Sequence, residues 1–171
     1  MESSDFERKE RLNIVIDRAG ISDLEAIQKL NQELCAKENR DFDETINPEF
    51  PFSKNGEEYF RTRIESPDGL ALIAKEGQEA IGYLLGGMVA PEDYRTITSV
   101  AELENMYVRE SSRGKGIGGK LMQKFEDWCK ERKVQRIRIV ASAGNSEAIR
   151  FYKAHGSKEV NLTLEKELIS E

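Results

Sequence analysis

Residues 113–120 read Arg-Gly-Lys-Gly-Ile-Gly-Gly-Lys, four glycines and three cations in eight positions. Upstream, an apolar run suited to a strand ends at Met106, Tyr107 and Val108. Downstream, Leu121, Met122, Phe125, Trp128 and Cys129 recur at helical spacing. The pattern is strand, Gly-rich turn, helix. Glycine reaches positive φ and leaves room for close approach, so backbone N–H groups in such a turn can converge on one point. The unpaired N–H groups of the first helical turn add positive partial charge there. Together they form an anion site, most often for phosphate. Arg113, Lys115 and Lys120 strengthen it.

Three ligand classes use such a turn. A Walker A loop, G-x-x-x-x-G-K-S/T, fits from Gly114 to Lys120. The next residue is Leu121, where a hydroxyl is needed to hold magnesium. A dinucleotide fingerprint, G-x-G-x-x-G, fits Gly114, Gly116 and Gly119, but it needs an acidic residue near the end of the next strand. That strand, residues 136–140, runs into Ala141-Ser142-Ala143, with no acid. The third class is coenzyme A. Residues 108–118 resemble the acyl-CoA-binding motif of the GNAT N-acetyltransferase family, a strand-ending valine followed by R/Q-x-x-G-x-G/A. Arg113, Gly116 and Gly118 take its three places. Residues 145–156 resemble the second family signature, N-x-x-A-x-x-x-Y-x-x-x-G, through Asn145, Ala148, Tyr152 and Gly156. Two motifs in the right order, one helix and one strand apart, are far more specific than either alone.

The resemblance implies transfer of an acetyl group from acetyl-CoA to a primary amine, by direct attack in a ternary complex. It implies that the pantetheine arm pairs with the backbone of the fourth strand at Met106, Tyr107 and Val108. It also implies that Arg113, Gly114, Lys115, Gly116, Ile117, Gly118 and Gly119 surround the pyrophosphate, with Gly114 chiefly a turn residue. Asn145 would position the CoA arm as well as cap a helix. Tyr152 takes the place that donates a proton to the departing sulfur.

Acetyl transfer also needs a base or a water chain, because only a neutral amine attacks. Glu102 and Glu104 are the candidates, with Glu104 preferred for its nearness to the motif. Two apart on a strand, they point to one face, and Leu103, Asn105 and Tyr107 to the other. A buried carboxylate is costly without a partner, so one of the two is equally well read as solvated or salt-bridged.

Composition sets bounds. A chain of 171 residues buries about 70% of its unfolded surface as one domain. The net charge of −6 argues against general nucleic-acid binding and mildly favours a cationic acceptor by long-range steering. No apolar stretch is long enough to span a membrane. Residues 1–11 lack the apolar core of a signal peptide and read as a solvated arm before an acetyltransferase domain over 12–171. Cys35 and Cys129 lie on apolar faces of helices, as two buried thiols of a cytoplasmic protein would. With one histidine, no metal site is expected.

The patterning predicts strands at 12–16, 70–75, 80–89, 96–108, 136–141 and 160–164. It predicts helices from Ser22, with a capping-box-like start at Ser22 and Glu25, then at 55–64, 119–133 and 146–155. The expected fold is a single α/β domain of GNAT type: a mixed, mostly antiparallel sheet flanked by helices, with the fourth and fifth strands parallel and splayed.

The acceptor is less legible. The resemblance places its pocket at residues 39–53 and 88–98. Asp41, Asp43, Glu44 and Glu49 in the first stretch suit a small cationic amine such as a polyamine, amino acid or aminoglycoside. A protein lysine or N-terminal acetyltransferase and a non-catalytic acyl-CoA-binding module are the other readings. Homodimers are frequent among such enzymes, so the resemblance also allows a homodimer.

Overall fold

The computed structural model describes residues 13–168, and the arm at 1–11 lies outside them. The chain clusters into two units, Met1–Val140 and Ala141–Glu171.

The first unit is a five-stranded sheet in the order β1-β2-β3-β4-β5. Its strands are β1 (Ile14–Arg18), β2 (Gly69–Glu76), β3 (Glu79–Val89), β4 (Val100–Val108) and β5 (Arg136–Ile139). Neighbours run antiparallel from β1 to β4, whereas β4 and β5 are parallel. Helices α1 (Leu24–Asp41) and α2 (Lys54–Glu65) lie between β1 and β2 in the chain, and α3 (Ile117–Glu131) joins β4 to β5.

Alternation along the strands builds two apolar layers. Ala71, Ile73, Tyr83 and Leu85 pack with Leu24, Ile27 and Leu30 of α1 and Phe60 and Ile64 of α2. On the opposite face Gly86 lies against the Phe125 ring, and α3 buries Ile117, Leu121, Met122, Phe125, Trp128 and Cys129. Each such large side chain contributes roughly 1.5–3 kcal/mol of transfer free energy.

Local signals place most ends. The Ser53 hydroxyl accepts from the Gly56 N–H at 3.0 Å and so caps α2, worth about 1 kcal/mol. The start of α1 differs from expectation. A 3-10 turn, Ile21–Asp23, precedes it, and Asp23 rather than Glu25 reaches back, accepting from the Gly20 N–H at 2.9 Å. Asp23 also takes the Lys75 ammonium at 2.6 Å, an ion pair that ties the helix start to β2. Strand β4 begins at Val100, four residues later than expected. The Gln135 side chain accepts the Thr98 and Ser99 N–H groups instead.

One irregularity matters for function. Leu85 pairs with Asn105 and Gly86 with Leu103, so Glu104 is an extra residue in β4. A bulge of this kind resets the alternation. Leu103 shares a face with Gly86, toward α3, but Asn105 and Tyr107 pair with Leu85 and Tyr83 on the α1/α2 face. The expectation that Asn105 and Tyr107 oppose the two glutamates is therefore wrong, because the bulge shifts the parity by one.

The second unit holds α4 (Ser146–Ala154). It starts on Asn145, whose Oδ1 accepts the Ala148 N–H at 3.0 Å. It stops at Gly156, φ +87°, where the Gly156 and Ser157 N–H groups close onto the carbonyls of Lys153 and Tyr152. The strand expected at 160–164 does not form. Val160, Leu162 and Leu164 are exposed. Alternation alone does not make a strand.

Candidate active site

The β4–β5 ladder runs from Val100↔Arg136 to Leu103↔Ile139 and ends there. Strand β4 continues to Val108, and over Asn105–Val108 its ladder partner among the described residues is β3 alone. The ladder thus ends at the bulge, and the β5-side edge beyond it includes Met106 and Val108, where the resemblance led to the expectation of a paired amide-bearing arm.

That edge leads into the Gly-rich turn. Gly114 and Gly116 have φ of +77° and +75°, and Gly116 is the N-cap of α3. A β-carbon at either would meet nothing within 4 Å, so the turn borders open space. The first N–H groups of α3, on Ile117, Gly118 and Gly119, lie next to it. Arg113 folds back, its Nε donating to the Val108 carbonyl at 3.0 Å, with its guanidinium 5.9 Å from the Tyr107 ring centroid. Lys115 reaches Glu76 at 3.2 Å, an exposed pair of the kind worth little. Arg109 anchors the turn's base, held by Glu33 at 2.7 Å and Glu79 at 2.7 Å.

Both candidate carboxylates point to the α1/α2 face, and an arginine holds each. Glu102 takes Arg138 Nε on Oε2 at 2.5 Å. Arg138 also holds Glu92 at 2.8 Å, and Glu92 holds Arg95 at 3.1 Å. Oε1 of Glu102 has no protein partner among the described residues. Glu104 is more fully engaged. Arg63 grips both of its oxygens, with Nε on Oε2 at 2.9 Å and Nη2 on Oε1, and the Tyr59 hydroxyl donates to Oε2 at 2.7 Å. Tyr59 accepts in turn from Asn105 Nδ2 at 2.9 Å, and buried Asn31 donates to Tyr83 at 2.7 Å. Burial first, then the Glu104 charge, pushes the Tyr59 phenol well above its ordinary value. Burial opposes the charge on Arg63, but its bonds to Glu104 outweigh this and raise its pKa.

Sequence reasoning missed Tyr59, Arg63, Asn31 and Arg138. A faint signal exists for the first two. They are one helical turn apart, beside the buried Phe60 and Ile64. Arg138 sits directly opposite Glu102 in the parallel register, which only the sheet order shows.

In the second unit, Asn145 and Tyr152 lie two turns apart along α4. Tyr152 is half-buried, with its ring edge-on to Phe151 at 5.4 Å. The acidic loop is largely satisfied locally: Asp41 pairs with Lys37 at 2.6 Å and Arg40 at 2.8 Å, Asp43 holds Thr45, and Glu49 accepts from Gln32. No described helix is long and apolar enough to cross a membrane.

The sequence model of the acetyltransferase (GNAT) family matches residues 37–156. The chain belongs to the GNAT acetyltransferase family. A GNAT relative is the uncharacterized N-acetyltransferase YhfO of Bacillus subtilis (strain 168), 25% identical over 111 residues, 62% of this chain and 70% of that one. A mutant of the BH1408 protein from Bacillus halodurans superposes with TM-score 0.77 at 19% identity, over 91% of this chain and 99% of that one. The aminoglycoside N-acetyltransferase AAC(6')-Iy, solved with CoA, gives TM-score 0.72 at 15% identity, over 91% and 94%. These superpositions show the GNAT fold. Enzymes of this family use acyl-CoA as cosubstrate, and the chain is an N-acetyltransferase of that family.

Proposed function

We propose that the protein transfers the acetyl group of acetyl-CoA to a primary amine of a small, cationic molecule, by direct attack in a ternary complex. The observation that carries this reading is the strand edge released at Glu104 and running straight into a Gly116-capped helix. An extended arm bearing amides can pair with the first, and a pyrophosphate suits the second. Met106 and Val108 offer backbone to the arm. Arg113 to Gly119 receive the phosphates, with Lys115 exchanging its exposed partner for them.

Of the two carboxylates, Glu102 suits the base better. Its Oε1 is available, whereas Glu104 has both oxygens committed. The amine loses a proton to Glu102, directly or through water, and its nitrogen attacks the thioester carbon. The carbon–sulfur bond breaks, the departing thiolate takes a proton from Tyr152, the tyrosine of the second motif, and the proton still carried by the acylated nitrogen returns to the tyrosinate, directly or through water. The net charge of −6 mildly favours a cationic acceptor. The depression over α2 lined by Asn55, Glu58 and Thr62 offers it a place beside Tyr59. The aminoglycoside acceptor named for AAC(6')-Iy is one member of this class.

Calorimetric titration with acetyl-CoA tests the binding half of the reading. Binding should weaken in an Arg113→Ala, Lys115→Ala double variant by roughly tenfold or more. Equal binding in parent and variant would remove the turn from the site.

A further inference from the structure

Glu104 is the extra residue of a bulge, so the β3–β4 ladder does not fix it. Side chains from α2 hold it instead. Arg63 closes on both oxygens and Tyr59 donates to one. Such a planar, two-point grip fixes orientation as well as charge. The sheet is shaped to admit Arg63. Gly69 and Gly87 face each other across β2 and β3. A β-carbon at Gly87 would stand 2.9 Å from Arg63 Nη1, and one at Gly69 would stand 2.3 Å from the Arg63 carbonyl oxygen. This bare cross-strand pair is the floor that lets Arg63 cross β3 and reach β4. Asn105, next in the chain, is tied to the same Tyr59 hydroxyl at 2.9 Å.

We infer that Arg63 and Tyr59 are positioning residues for acetyl transfer: by clasping Glu104 they set the β4 backbone at the point where its ladder with β5 ends. Glu104 is then a fixed anion and not a proton carrier. Protonating it would break a two-point ion pair and leave the half-buried Arg63 charge without its counterion. The inference rests on the proposed acetyl-CoA site, because it assigns the clasp a role in aligning the acyl group there.

The test uses the full chain with Arg63→Met, Arg63→Lys, Tyr59→Phe and Glu104→Gln. A small misalignment of reacting groups costs up to roughly 100-fold in rate, so Arg63→Met should lose kcat on that order. Its acetyl-CoA Kd should stay within about threefold, since the Gly-rich turn is untouched. Arg63→Lys should recover no more than roughly a tenth of the parent rate, because a point charge does not reproduce the fork. The acid limb of kcat/KM should keep its midpoint in Glu104→Gln. Should Arg63→Met fail to fold, an Arg63→Met, Glu104→Met pair removes both charges together and should fold yet remain slow.

Amide exchange at Glu104, Asn105 and Met106 reads the bulge without turnover and should quicken in every Arg63 variant. An active parent with unchanged kcat in Arg63→Met, an acid limb abolished in Glu104→Gln, or unaltered exchange would each overturn the inference. A parent that binds no acyl-CoA would instead sink the proposed function, and the exchange measurement would still decide whether the clasp sets the bulge.

Discussion

Nη1 of Arg63 lies 2.9 Å from where a β-carbon at Gly87 would stand, and the Asp68 carbonyl oxygen lies 2.7 Å from the same point. The smallest substitution at Gly87 should therefore push Arg63 aside while leaving the acyl-CoA turn alone. Gly87→Ala should cost about 1–3 kcal/mol of stability, as overpacking does. It should lower kcat with little change in acetyl-CoA affinity. Urea denaturation with calorimetry checks both, and a variant as fast as the parent would show that Arg63 tolerates displacement.

The Gly-rich turn makes the opposite prediction. Gly116 needs positive φ, but a β-carbon there would meet nothing within 4 Å. Gly116→Ala should lose only the backbone strain, about 1–2 kcal/mol, while filling the space a phosphate needs. Its acetyl-CoA Kd should rise by roughly tenfold or more. An unchanged Kd would place the phosphates elsewhere.

Glu102 supplies the pH test. If its carboxylate takes the amine's proton, Glu102→Gln should lower kcat/KM by roughly 100-fold or more and remove the acid limb of the profile. Arg138 keeps Glu92 at 2.8 Å in that variant, so the fold should survive. An acid limb that persists in Glu102→Gln would return the role to water.

The two thiols are free and should be inert. Burial pushes Cys129 up to about 12. Burial, with the charge of Glu38, pushes Cys35 up to about 11. Neither should be alkylated at about pH 8 while the chain is folded. Both values are raised above the ordinary 9.0, so the folded state holds these protons more tightly than the unfolded chain. Their contribution to stability is whole below pH 9 and is lost as the pH rises toward 11–12. The urea midpoint should fall over that window, and less in Cys129→Ala. An equal fall in the variant would assign the alkaline loss to other groups.

Much of the fold was legible in the sequence because most of its elements announce themselves locally. The stripe from Leu121 to Cys129 marks α3, Asn145 and Gly156 bracket α4, and the hairpin turn at 76–79 separates β2 from β3. The same local reading failed where neighbours decide. Residues 160–164 alternate as a strand does, but no strand forms there among the described residues. Thr98 and Ser99 look like strand but bond to the Gln135 side chain. The bulge at Glu104 left no mark, because Arg63 and Tyr59 approach it from a helix more than 40 residues earlier. The Gly-rich turn was readable as chemistry since its residues are contiguous. The arginine held against each glutamate was not, since those pairs form only when α2 and β5 reach β4.

The proposed function turns on acetyl transfer from acetyl-CoA to a small amine. Its most direct test is free-thiol release from acetyl-CoA across a panel of polyamines, amino acids and aminoglycosides, with Tyr152→Phe run beside the parent. Release should match acetylated product for at least one amine and fall by roughly tenfold or more in Tyr152→Phe. No release with any amine, from a parent shown to be folded, would contradict it.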